Sequence, residues 1–294
     1  MQIEPVFDAF EAEYGKGRAQ VVWSRLIADL ETPVSAMLKL SASTKNAFLL
    51  ESVEGGAVRG RYSIIGLDPD LIWRAQGPHA EINRDPAGGG NFVPCAKPTL
   101  DALRELLAES AIELPDELAP MAAGVFGYMG YDTVRLIEHL PDVPPDRLGL
   151  PDALFIRPSV MVIFDAVRDE ITVVAPVRPQ SGRNAETSYN RAIERITSVI
   201  ERLEAPLAHP ASDLDDAEFN EPRSNTTPEE FHAMVGRAKS YIEAGDVFQV
   251  VLSQRFEVDF PLPPFSLYRA LRRVNPSPFL FFLDFEDFAV IGSS

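Results

Sequence analysis

The chain has 294 residues, 46% hydrophobic and 24% charged, an ordinary globular composition that excludes a disordered tract or a fibrous repeat. Its 27 Lys+Arg stand against 44 Asp+Glu, a net charge of −17, which argues against a sequence-independent grip on nucleic acid or anionic lipid, since both rest on basic surface. No apolar run approaches the roughly 18 to 20 residues of a membrane-spanning helix, residues 1–15 lack a secretion signal, and the lone Cys95 permits no internal disulfide and no cysteine zinc cage, so a cytoplasmic protein with a small ligand or a protein partner is expected.

The first half reads as short strands broken by turns. Residues 21–27 and 47–53 are apolar or β-branched, and between them Thr32-Pro33 supplies an N-cap and a first-position proline for a helix through Leu40. Residues 61–65 and 71–75 predict two further strands, and residues 85–98, with Gly88-Gly89-Gly90, an exposed loop. Helical spacing returns at 99–110 through Leu100, Leu103, Leu106 and Leu107. Residues 125–131 form a strand candidate with Gly124, Gly127 and Gly130. That much glycine implies close packing on the backbone, either strand on strand, the plainer reading, or a ligand. Residues 160–164 and 171–177 predict a hairpin, and Tyr189, Ile193, Ile196, Ile200 and Leu203 one stripe of a long helix.

Residues 205–226 hold Pro206, Pro210, Pro222 and a run of acids, which predicts a linker or surface loop without chemistry of its own. The chain thus divides into 1–204, the linker 205–226 and 227–294. Thr227-Pro228-Glu229-Glu230 is a capping box for a helix that stops at Gly245. A long strand is expected over 247–260, a helix over 266–274, and a hairpin from 279–285 and 288–292. The pattern is α+β. An apolar strand needs a neighbour, so the last one reads as broken off at the chain end.

Phosphate-binding Gly-x-x-x-x-Gly-Lys, nucleophile-elbow Gly-x-Ser-x-Gly and zinc His-Glu-x-x-His strings are absent. His79, His139, His209 and His232 are scattered without metal spacing. Composition and periodicity alone lead to an α+β protein and no further.

Five segments, in order, resemble the successive landmarks of anthranilate synthase component I. They are Leu49-Leu50-Glu51-Ser52, the stretch from Arg61 to Gly66, the stretch from Val125 to Asp132, the stretch from Gly245 to Gln254, and Asn275-Pro276-Ser277-Pro278-Phe279-Leu280-Phe281-Phe282. The resemblance implies the antiparallel, β-rich, two-subdomain fold of the chorismate-utilising enzymes, incomplete here at the C-terminus. It implies an enzyme of tryptophan biosynthesis that converts chorismate to anthranilate with Mg²⁺, takes ammonia from a glutamine amidotransferase partner, and is inhibited by tryptophan. Residues 1–204 then hold the regulatory site and 227–294 open the chorismate-binding domain.

Carried over residue by residue, Ser52 matches the family's tryptophan-binding serine, and Pro278, Phe279 and Leu280 its contacting tripeptide. Phe279-Leu280 stands where Tyr-Met is commoner, which keeps apolar bulk and removes a hydroxyl and a thioether. A free amino acid needs an acceptor such as Glu51, donors such as Ser52 and a flat apolar wall, which Pro278 and Phe279 can supply. Without the resemblance, Glu51-Ser52 would read as a strand end and Asn275-Pro276 as a turn. Gln249 stands where water-adding relatives resemble a lysine base. Ammonia needs only positioning, so a neutral amide favours amination. The resemblance puts the Mg²⁺ carboxylates and the catalytic histidine beyond Ser294, and the chain alone is expected to be inactive. Aminodeoxychorismate synthase component I and a non-enzymatic tryptophan-binding module remain the alternatives.

Overall fold

The computed structural model describes residues 1–41, 44–54, 58–207 and 219–294. They fall into two units, one of residues 1–208 with 267–294 and one of residues 209–266. The first unit is built on an antiparallel sheet, and its leading elements are α1 (Phe7–Tyr14), β1 (Gln20–Ile27), α2 (Pro33–Ser41), β2 (Phe48–Glu54) and β3 (Val58–Gln76). There follow β4 (His79–Asn83), β5 (Val93–Pro94), α3 (Thr99–Ser110), β6 (Phe126–Met129), a 3₁₀ turn (Tyr131–Leu136), β7 (Ala153–Asp165), β8 (Glu170–Val177) and α4 (Ala185–Glu204). The second unit holds β9 (Arg223–Ser224), α5 (Pro228–Ala244) and β10 (Phe256–Glu257). The helix α6 (Pro264–Val274) leads back to β11 (Phe279–Asp284) and β12 (Ala289–Ser293) of the first.

Among the described residues the strands of the large sheet run β1-β8-β7-β3-β2-β11-β12, with β4 on β3, β5 on β4 and β6 on β7. β7 lies between β3 and β8 and is buried along almost its whole length, which is why its second half, residues 160–164, reads as a continuous apolar run rather than an alternating one. α4 covers the sheet through Ile196, Val199, Ile200 and Leu203, and α1 packs on α4 with the Phe10 and Tyr189 rings 5.0 Å apart. A second cluster joins Trp23, Phe48, Ile156 and Phe285, and a third seats Leu103 and Leu106 of α3 on Leu71 and Trp73. Each such side chain, fully buried, contributes about 1.5–3 kcal/mol.

Most expected elements are present, α3 with the expected bounds, but three differ. The strands expected at 61–65 and 71–75 are one strand of 19 residues. The turn-like Asp68-Pro69-Asp70 between them is a bulge, with Asp68 left-handed at φ 50 and Pro69 opposite Pro158, so neither proline is asked for a ladder donor. The loop at 85–98 contains the short β5. The long strand expected over 247–260 is reduced to β10 pairing with β9, since apolar residues form a strand only where a ladder partner lies alongside. At Gly127 a Cβ would stand 1.9 Å from the Leu154 carbonyl oxygen, so the close approach there is strand on strand.

In the second unit the capping box of α5 forms in both directions. The Glu230 N–H donates to Thr227 Oγ1 at 3.2 Å and the Thr227 N–H to Glu230 Oε2 at 2.9 Å, and Gly245, at φ 79, ends the helix. Most of the acid run of 205–226 lies outside the described residues.

Candidate functional site

β2 lies between β3 and β11, and this order brings distant motifs together. Glu51 pairs with Leu280 and Ser52 with Phe279 across β2 and β11. Glu51 also faces Ser63 of β3. Glu51 is 6% exposed, and a carboxylate so buried must be paired. Its partners come from α6. Arg272 donates from Nε to Oε2 at 2.7 Å and from Nη2 to Oε1 at 3.0 Å, and the Tyr268 hydroxyl donates to Oε2. Residues four apart on a helix share a face, which is how one carboxylate receives both. Burial opposes the Arg272 charge, but the hydrogen bond and charge of Glu51 outweigh it and raise the guanidinium above its ordinary range. Burial, then Glu51, pushes the Tyr268 hydroxyl well above the usual phenol range, so Tyr268 serves as a donor.

Ser52 Oγ donates to the Tyr62 carbonyl at 3.0 Å. Its hydrogen is thereby used inward, and its lone pairs remain to accept. Glu51, Ser52, Gly60, Ser63, Asp165 and Arg272 are among the residues lining a cavity of about 120 Å³. Asp165 closes one side, bonded by Arg61 at 2.9 Å and by the N–H groups of Val167 and Arg168. Burial works against its charge, but these bonds prevail and lower the carboxyl below its ordinary value. The Nη1 group of Arg272 makes no hydrogen bond among the described residues. The cavity therefore presents a carboxylate and a guanidinium side by side, the charge pattern that complements an α-amino acid zwitterion.

The predicted residues divide as follows. Glu51 and Ser52 line the cavity. Phe279 and Leu280 sit on the adjoining strand, Phe279 66% exposed and Leu280 2% exposed, and Pro278 is exposed just before it. None of these three lines the cavity. Gln249 lies exposed in an irregular stretch of the second unit. Tyr268 and Arg272 were not singled out by sequence reasoning. The signal that could have found them is the glutamate inside Leu49-Leu50-Glu51, which demands a cation, together with a tyrosine and an arginine at helical spacing just before Asn275. A larger cavity of about 680 Å³, lined by Arg74, Glu81, Phe92 and Phe288, holds none of the predicted residues.

Among the described residues no three His, Cys, Asp or Glu converge as a metal site would require. These residues do not fit a Mg²⁺ site. No helix among them is long and apolar enough to cross a membrane.

Residues 47–294 match the family model for chorismate binding enzymes. The chain belongs to the chorismate-binding enzyme family. Within that family it is similar to anthranilate synthase component 1 of Cereibacter sphaeroides, 51% identical over 98% of this chain and 58% of the relative. The same protein of Pseudomonas aeruginosa is 40% identical over 91% of this chain and 54% of the relative. The fold resembles the crystal structure of anthranilate synthase component I from Streptococcus pneumoniae TIGR4, with a TM-score of 0.63 and 29% identity, covering 92% of this chain and 57% of that one. The chain thus spans little more than half the length of these relatives. The resemblance carried by the five ordered motifs agrees with these matches.

Proposed function

We propose that the chain is part of an anthranilate synthase component I, which converts chorismate and ammonia to anthranilate, pyruvate and water. Similarity to proteins of that name along 98% of the chain supports this reading, and the cavity at Glu51 and Arg272 supports an amino-acid site within it. In this reading residues 1–204 carry a regulatory tryptophan site, 205–226 link, and 227–294 open the chorismate-binding domain. Tryptophan's ammonium is accepted by Glu51 and Ser52 and its carboxylate held by Arg272, while Pro278, Phe279 and Leu280 flank the indole. Gln249 positions ammonia supplied by a glutamine amidotransferase subunit. Mg²⁺ holds the chorismate carboxylate on residues in the part of the parent enzyme that this chain does not span. The same reading assigns the protein to the cytoplasm.

Two measurements test it. Calorimetric titration of the chain with tryptophan should give saturable binding that Ser52→Phe abolishes, because the bulky ring fills the polar end of the cavity; binding unchanged in that variant would remove Ser52 from the site. For the reaction, the full-length enzyme of which this chain is part, given chorismate, Mg²⁺ and ammonia, should accumulate fluorescent anthranilate, whereas the chain alone should not. Release of aminodeoxychorismate instead would overturn the assignment in favour of the folate-pathway relative.

A further inference from the structure

The outer row of α4 carries Arg191, Arg195 and Arg202, spacings that place all three along one face of the helix. With Ser198, Glu194 and the bulge residue Asp68 they line a groove of about 380 Å³. The groove's own carboxylates, Asp68 and Glu194, form no ion pair with these arginines among the described residues, and Asp70, whose charge Arg195 also feels, is engaged elsewhere. Asp70 is held by Arg157 through Nε at 2.7 Å and Nη2 at 3.2 Å, and Glu109 is held by both guanidinium nitrogens of Arg84 at 2.9 and 3.0 Å. Among the described residues Arg191 and Arg195 make no ion pair. Like charges four apart on a helix repel. Burial first, and then the Arg191 and Arg183 charges, hold the Arg195 guanidinium below its ordinary range, although Asp70 and Asp68 pull the other way. Arg178, which feels the same Asp70, is pulled down to about 10 by burial and by Arg157, and its Nε is buried without a partner.

The protein carries a net charge of −17, yet among the described residues Arg191 and Arg195 are held in an ion pair by none of its acids. We propose that the α4 groove binds a small phosphate monoester that also bears hydroxyl groups. Two guanidiniums one helical turn apart can fork onto the oxygens of one phosphate, which suits arginine better than a single carboxylate would. Ser198 adds a hydroxyl donor. Asp68 and Glu194 repel a second phosphate and accept hydroxyl protons from the rest of the ligand. The size of the groove and the overall negative field exclude a nucleic acid backbone.

The test is a ³¹P magnetic-resonance titration of the whole chain at constant ionic strength, with glycerol 3-phosphate and inorganic phosphate as separate probes. Wild type should broaden the glycerol 3-phosphate line saturably. Arg191→Gln/Arg195→Gln should weaken binding at least about tenfold, while Arg237→Gln, on α5, should leave it unchanged. Absence of saturable binding to wild type, or equal binding by the double variant, overturns the proposal. Inorganic phosphate bound as tightly as the ester overturns the monoester assignment. If the double variant loses its native circular dichroism, Arg195→Lys replaces it. That change keeps the charge and removes the fork, so it should weaken binding, and unchanged affinity counts against the site.

Discussion

Gly60 lies on β3 against Ser52, and a Cβ there would meet Ser52 Oγ at 2.1 Å and the Ser52 carbonyl carbon at 2.6 Å. Neither neighbour can yield without moving β2, because Ser52 is in a ladder on one side and bonded to Tyr62 on the other. Gly60→Ala should therefore cost about 1–3 kcal/mol of stability by overpacking and weaken the proposed tryptophan binding by the same displacement, which thermal unfolding and calorimetry can check together. Arg272→Met takes the opposite course, leaving space and stranding a buried charge. Removing one member of a buried pair costs about 3–5 kcal/mol, and partial exposure of Arg272 puts the expected loss near the lower end. Adding Glu51→Gln should recover much of it, since the stranded charge is then gone. A double variant no more stable than Arg272→Met in urea would mean that packing, rather than charge, holds α6 to β2.

At the scale of elements, the turn joining β7 to β8 is organised by Asp165, which accepts the N–H groups of Val167 and Arg168 at 3.0 and 3.3 Å as well as the Arg61 guanidinium. Its folded carboxyl sits below the ordinary value of 3.8. The sign follows from linkage: a lowered folded value gives stability that is fully present above the unfolded value and is lost as pH falls through the folded one. The stability difference between wild type and Asp165→Asn should thus be constant near neutrality and shrink as pH drops below 3.8. A difference that stays flat into that range would assign the turn to its backbone bonds alone. Elements that depend on local chemistry were legible in the sequence: the leucine spacing gave α3, and Thr227 with Glu230 gave the start of α5. Those that depend on a neighbour were not. Asp68-Pro69-Asp70 carries turn letters yet lies within one continuous strand because β7 pairs on both sides of it, and the apolar stretch after Asp246 has, among the described residues, a ladder partner only at Phe256–Glu257.

For the whole molecule, the cavity was half legible. Glu51 and Ser52, which line it, could be named from motifs, and the pairing of β2 with β11 sets Phe279 and Leu280 on the adjoining strand. Arg272 and Tyr268 escaped because an arginine and a tyrosine on a helix look like solvated surface until the burial of Glu51 is known. Arg191 and Arg195 escaped for the converse reason: in a strongly acidic chain each looks sure of a partner, and only the three-dimensional arrangement leaves them without an ion pair among the described residues.

The pairing of β2 with β11 also imposes an order on birth. More than two hundred residues separate the two strands, so a ribosome adding roughly 5–20 residues per second leaves one edge of β2 open for on the order of ten seconds or more. Leu49 and Leu50 lie on that edge, where another nascent chain could pair. Glu51 beside them, not yet met by Arg272, is a charge that such a wrong partner would have to bury. The glutamate that later anchors α6 thus serves earlier as a gatekeeper, guarding the strand until the correct one arrives.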